Sequence, residues 1–217
     1  TGDRVLYGPY GGQAAPPPEE QPYVIYELIS YETYTRHFAV ADSRQERPEY
    51  RCFLTMPLEN FIGGGSFEGE LFGRSGWINA ITYRSEEGTL LTDYVCLGED
   101  GTPIRLVQVV SDMSETFHLD CNQDGAAEVV APGRLFFPRE GAVYQADIPA
   151  LWAEAYPDYA LEWSRWDPGT DMLKATGYFT GADGVFRSWT RYLRFDGENL
   201  EVFRDPRTVE DHVMSDI

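Results

Sequence analysis

The sequence predicts an all-β, antiparallel protein with one short helix. Three observations carry that expectation. Short runs rich in aromatic and branched residues, such as Tyr23–Tyr31 (YVIYELISY), recur along the chain. Acid-Gly pairs separate them, at Glu87-Gly88, Asp100-Gly101, Asp124-Gly125, Glu140-Gly141, Asp183-Gly184 and Asp196-Gly197. Such pairs supply the positive φ that tight hairpins need, and they recur too often for a helical protein. Third, the strand candidates number about sixteen, which suits a small propeller-like array or, alternatively, a β-sandwich or β-barrel.

Taken in order, residues 1–22 carry Gly11-Gly12 and Pro16-Pro17-Pro18-Glu19-Glu20, the composition of an extended, solvated linker or tether. A chain beginning Thr1-Gly2-Asp3 reads as a trimmed or mature form. A tether ahead of a globular region fits a secreted or cell-surface protein. Residues 23–217 read as a single all-β domain. Its strands begin with Tyr23–Tyr31, Tyr34–Ala41 and Tyr50–Met56. Gly63-Gly64-Gly65-Ser66 reads as a flexible linker or bulge between strands. Trp77–Arg84, Thr89–Leu97 and Pro103–Val110 follow. Ile148–Tyr156 (IPALWAEAY) is the exception. Asp147 is its N-cap, Pro149 fits its first turn and Pro157 ends it. Leu151, Trp152 and Tyr156 share one helical face. The end of the chain, Arg204–Ile217, is polar. A strand, an acid-Gly turn and a second strand recur at 92–109 and 190–203, a loose repeat.

Composition narrows the partners. Seventeen basic and 36 acidic residues give a net charge of −19 and a pI near 4.4. Such a surface repels phosphate backbones and anionic lipids, which argues against nucleic-acid or membrane-surface binding. No apolar run reaches the roughly 18 residues of a membrane helix. Cys52, Cys96 and Cys121 are too few and too scattered for a disulfide framework or a zinc site. Cys52 and Cys96 lie in apolar stretches and read as buried small hydrophobes; one disulfide among the three stays open.

One stretch carries chemistry. Residues 120–128 read D-C-N-Q-D-G-A-A-E, placing oxygen-bearing side chains at Asp120, Asn122 and Asp124, glycine at Gly125 and an acid at Glu128. A hard cation such as Ca²⁺ takes six to eight oxygens at about 2.3–2.6 Å. Alternate residues of a tight loop aim their oxygens at one centre. Gly125 permits the turn that would bring in the backbone carbonyl of Ala126, and Glu128 would close the shell. An EF-hand needs Glu at position 12, where Ala131 stands, and helices on both sides, where strand-like residues stand.

A strand-flanked loop with its last acid at position 9 resembles the calcium loop of FG-GAP/VCBS repeats, the integrin-α-like propeller repeats, with the pattern D-x-[DN]-x-D-G-x-x-[DE] before an apolar strand. Residues 116–131 (TFHLDCNQDGAAEVVA) carry the likeness, with Gln123 where that family commonly has glycine. The resemblance implies a propeller with a structural calcium and a role in adhesion or ligand presentation rather than catalysis. The expected function is thus a non-enzymatic, secreted or surface-tethered binding module for a protein or glycan ligand.

Other signals are weaker. His37, His118 and His212 form no Ser/His/Asp or Cys/His set. Glu68 and Glu70 alternate onto one face, as paired glycosidase carboxylates would, but 36 acidic residues produce such pairs without function. Trp152, Tyr156, Tyr159, Trp163 and Trp166 fall close together. Buried, they form core between helix and sheet; exposed in a row, they would stack on sugar rings. A carbohydrate-binding domain, or an extracellular hydrolase whose site the sequence does not reveal, is therefore the alternative.

Overall fold

The computed structural model describes residues 5–6, 21–110, 116–121, 124–157, 160–167, 172–195, 199–203 and 212–213. Among the described residues the chain is all-β with one α-helix, and every strand pairing is antiparallel. It divides into two compact units, Thr1–Met113 and Ser114–Ile217. Among the described residues no sheet closes into a barrel.

The first unit contains two four-stranded meanders. One runs β1 (Val5–Leu6), β2 (Tyr23–Ser30), β3 (Thr35–Asp42) and β4 (Arg51–Pro57) in sequence order. The other runs β5 (Phe61–Leu71), β6 (Arg74–Arg84), β7 (Leu90–Leu97) and β8 (Pro103–Val110). Alternation along each strand puts one set of apolar side chains inward. Ile25, Phe38, Val40 and Met56 of the first sheet meet Ile81 and Val95 of the second in one core. The Phe38 and Phe61 rings lie 5.8 Å apart across it. Of the expected tether, residues 5–6 form an edge strand and the Pro22 carbonyl accepts from Ser43, while residues 1–4 and 7–20 lie outside the described residues.

Two expectations are corrected here. Gly63-Gly64-Gly65-Ser66 is no linker: it lies inside the eleven-residue strand β5, paired with Ala80, Ile81 and their neighbours on β6. Cross-strand pairing fixes what composition alone reads as flexible, and the register shifts between Phe61 and Gly63 at its start. Cys52 is exposed, not buried. It sits on the outer edge strand β4, next to a register shift that disturbs the inward alternation.

The second unit repeats the plan. Its first meander is β9 (Phe117–Leu119), β10 (Glu128–Ala131), β11 (Arg134–Arg139) and β12 (Ala142–Asp147). Helix α1 (Ile148–Ala155) follows, and then β13 (Ala160–Asp167), β14 (Met172–Thr180), β15 (Phe186–Phe195) and β16 (Leu200–Phe203). A short β17 (His212–Val213) also pairs with β15. Val130, Leu135 and Phe137 pack with Leu173, Leu193 and Phe195, and Ile148 and Cys121 join them. The Phe137 and Phe195 rings are 4.8 Å apart.

The helix begins as the sequence predicts. Asp147 Oδ1 accepts the Ala150 N–H at 3.0 Å and proline stands in the first turn. Trp152 is 1% exposed and stacks on Tyr156 at 4.5 Å, within a cluster that includes Ala175. Tyr159 and the side chains of Trp163 and Trp166 lie outside the described residues, as does Asp196-Gly197.

Candidate metal centre

The loop that the sequence singles out connects β9 to β10. The two strands pair Leu119 with Glu128, His118 with Val129 and Phe117 with Val130. Residues 120–127 therefore leave and return at adjacent positions of one ladder. Asp120 organises the return. Its Oδ1 accepts the Asp124 N–H at 3.0 Å and its Oδ2 accepts the Gly125 N–H at 2.9 Å. Asp124 Oδ1 in turn accepts the Ala126 N–H at 2.8 Å. Gly125 has φ +95°, a conformation that L side chains rarely adopt. These bonds wind the backbone around the two carboxylates, as Asx turns do.

Glu128 closes the loop from below. It is completely buried, as is the rest of β10 that it begins. Its Oε2 accepts the Cys121 N–H at 2.7 Å, while its buried Oε1 has no hydrogen-bond partner among the described residues. Burial pushes the carboxyl up to about 7; the Cys121 bond opposes this, and the negative charges of Asp124 and Asp120 add to it. A buried carboxylate with an unpaired oxygen is costly, because the lost hydration of that oxygen is replaced by nothing.

Asp120, Asp124, Ala126 and Glu128 thus lie on one closed loop, with the three acids in electrostatic reach of one another. Asn122, the other expected ligand, lies outside the described residues together with Gln123. Among the described residues, no group of three or more His, Cys, Asp or Glu side chains is gathered tightly enough to hold a metal ion as it stands. No protein-family model, curated protein or solved structure matches this chain.

His37, half-buried on β3, is held between Thr35 Oγ1 at 3.0 Å and Thr55 Oγ1 at 2.9 Å. Glu68 and Glu70 lie on β5, and Glu70 Oε2 accepts from Ser75 Oγ on the neighbouring strand at 3.3 Å. The three cysteines are free thiols. Among the described residues no helix is long and apolar enough to cross a membrane.

Sequence patterning gives no sign of a second polar cluster, which the fold assembles in the first unit. Asp93 of β7 meets Tyr83 of β6 and both Arg105 and Gln108 of β8. The four belong to three strands, and only the strand register brings them together. The one local signal is Asp93 itself, the single charged residue in the mostly apolar and aromatic run of β7.

Proposed function

We propose that the chain is a non-enzymatic binding or adhesion module whose second unit is stabilised by one structural Ca²⁺ in the 120–128 loop. The observation that carries this reading is the buried, unpaired Oε1 of Glu128 beside two further carboxylates. A dication offsets that desolvation and the mutual repulsion in one step, and oxygen-only ligands favour a hard ion. Asp120, Asn122, Asp124 and Glu128 would supply side-chain oxygens and Ala126 its backbone carbonyl. The loop must tighten around the ion, so binding energy is spent partly on ordering. Affinity of about 10⁻⁴–10⁻³ M then follows, which suits a secreted or surface-tethered module facing calcium-rich fluid.

The ligand of the module is a protein or a glycan. Buried Trp152 gives the glycan-platform alternative no support at that position. As to finer architecture, four successive meanders, three of four strands and one of five among the described residues, are compatible with the blade repeat of a propeller. The cores shared by two sheets within each unit match a sandwich.

The test is a thermal melt in excess EDTA, in CaCl₂ and in MgCl₂. Calcium at about ten times its dissociation constant stabilises by about 1.4 kcal/mol, a rise of a few degrees for a chain of this size. The rise should vanish in Asp124→Asn and in Glu128→Gln. Equal melting temperatures in EDTA and calcium would sink the proposal.

A further inference from the structure

We propose that the cleft between the edge strands β4 and β8 of the first unit is a binding site for a neutral sugar. The cleft has a volume of about 340 Å³, within the range of small-molecule pockets. Phe53 and Leu54 of β4 form one wall, and Tyr83, Asp93, Val95 and Arg105 form the other.

Two β-bulges shape it. On β4, Leu54 pairs with Phe38 and Cys52 with Ala39, which leaves Phe53 as the extra residue. On β8, Val107 pairs with Tyr94 and Arg105 with Val95, which leaves Leu106 as the extra residue. In a regular strand Arg105 and Gln108, three positions apart, would face opposite sides. The bulge at Leu106 turns both toward Asp93. Gln108 Nε2 donates to Asp93 Oδ1 at 2.9 Å and the Arg105 guanidinium stands 3.7 Å from the same oxygen. Bulges re-aim side chains in this way beside functional sites.

The polar groups define the ligand. The Asp93 side chain is only 6% exposed, yet it lies on the core-facing side of its sheet, in line with Val95. Its Oδ2 accepts the Tyr83 hydroxyl at 3.1 Å, and Gln108 Nε2 also reaches that hydroxyl at 3.1 Å. Burial first, and the Asp93 charge second, push the Tyr83 hydroxyl up to about 12, so it remains a donor at any physiological pH. A carboxylate has about four lone-pair positions, so acceptor capacity remains after these two bonds. Arg105 is 58% exposed, and at 3.7 Å its ion pair is beyond hydrogen-bond length. Its N–H donors are free to turn to a ligand.

An acceptor and a donor of opposite charge thus stand side by side. An anion placed on Arg105 would also meet Asp93, and a cation placed on Asp93 would also meet Arg105. A hydroxyl group suits both, since it donates to the carboxylate and accepts from the guanidinium. Vicinal hydroxyls of a pyranose repeat that pairing, and the half-buried Phe53 offers an apolar wall for the C–H face of the ring. The site shares no residue with the calcium loop and does not depend on it.

The experiment is ¹H–¹⁵N NMR titration of the full chain in EDTA, which separates this site from the calcium reading. The probes are glucose, galactose, mannose, N-acetylglucosamine, lactose, maltose and chitobiose, with sodium acetate, glycine and tetramethylammonium as charged controls. At least one sugar should give saturable shifts at the amides of residues 93–95 and 103–108. Arg105→Gln should weaken that binding at least tenfold while the chain still melts cooperatively. Asp93→Asn should weaken it similarly. Absence of saturable shifts there with every sugar overturns the proposal. So does tighter binding of a charged control, or unchanged sugar affinity in Arg105→Gln.

Discussion

At the scale of single residues, carboxylates of this chain are shifted in opposite directions. Asp42 is held down to about 2, chiefly by the hydrogen bonds from the Arg44 guanidinium, and Asp183 is held well below the usual range by Arg187. Both are exposed pairs, and the stability they add is lost as pH falls below their ordinary value near 3.8. Glu128 behaves in the reverse sense. Its carboxyl is raised from 4.5 to about 7, so the folded chain holds this proton more tightly than the unfolded chain does. The stability linked to that proton is complete below pH 4.5 and is lost as pH rises to about 7. The full shift corresponds to about 3 kcal/mol as an upper bound. Urea unfolding in EDTA should therefore give a lower midpoint at pH 7.5 than at pH 5. Glu128→Gln, which keeps the shape and removes the titration, should flatten that difference. Identical midpoints for the parent protein at both pH values would show that Glu128 does not titrate in this window.

At the scale of elements, helix α1 has a cap whose contribution can be isolated. Asp147 Oδ1 holds the Ala150 N–H, one of the donors that a helix start leaves without a partner in the helix. Asp147→Ala should cost about 1 kcal/mol, whereas Asp147→Asn should cost only a few tenths, because Asn caps nearly as well. Denaturant midpoints of the two variants give the comparison, and equal losses would mean that the charge rather than the cap matters. This helix was legible because its signals are local: a capping acid, a proline in the first turn and a proline after the end. The hairpins were legible for the same reason, since Gly88, Gly101, Gly125, Gly141 and Gly184 all adopt the positive φ that the acid-Gly pairs announced. Legibility failed where pairing overrides composition. Gly63-Gly64-Gly65 became strand because β6 supplies the hydrogen bonds. The candidate site divides along the same line. The spacing of Asp120, Asp124 and Glu128 could be read directly, because one short loop holds them all. Burial of Glu128 and its orphaned oxygen could not, since they come from the sheet beneath. The Asp93 cleft was invisible to periodicity, because the bulge at Leu106 reverses the face on which Arg105 falls.

At the scale of the whole molecule, each unit has an apolar core of its own. Ile25, Phe38, Val40, Met56, Ile81 and Val95 make the first, and residues from both sheets of 114–217, with Ile148 of α1, make the second. A unit of about 100 residues is within the size at which a single core can sustain cooperative folding. Against this stands the net charge of −19, whose self-repulsion weakens any compact state. In the second unit part of that repulsion is concentrated at Asp120, Asp124 and Glu128, so calcium should act there and nowhere in the first unit. The expected outcome is that residues 114–217, produced alone, melt cooperatively by circular dichroism and keep the calcium-dependent rise. Residues 1–113 alone should also melt cooperatively, but at a temperature that calcium leaves unchanged. A calcium response that appears only in the intact chain would contradict the assignment of the ion to the β9–β10 loop as a self-contained site. Failure of either piece to melt cooperatively would mean that its core is too small to offset its chain entropy and charge without the other.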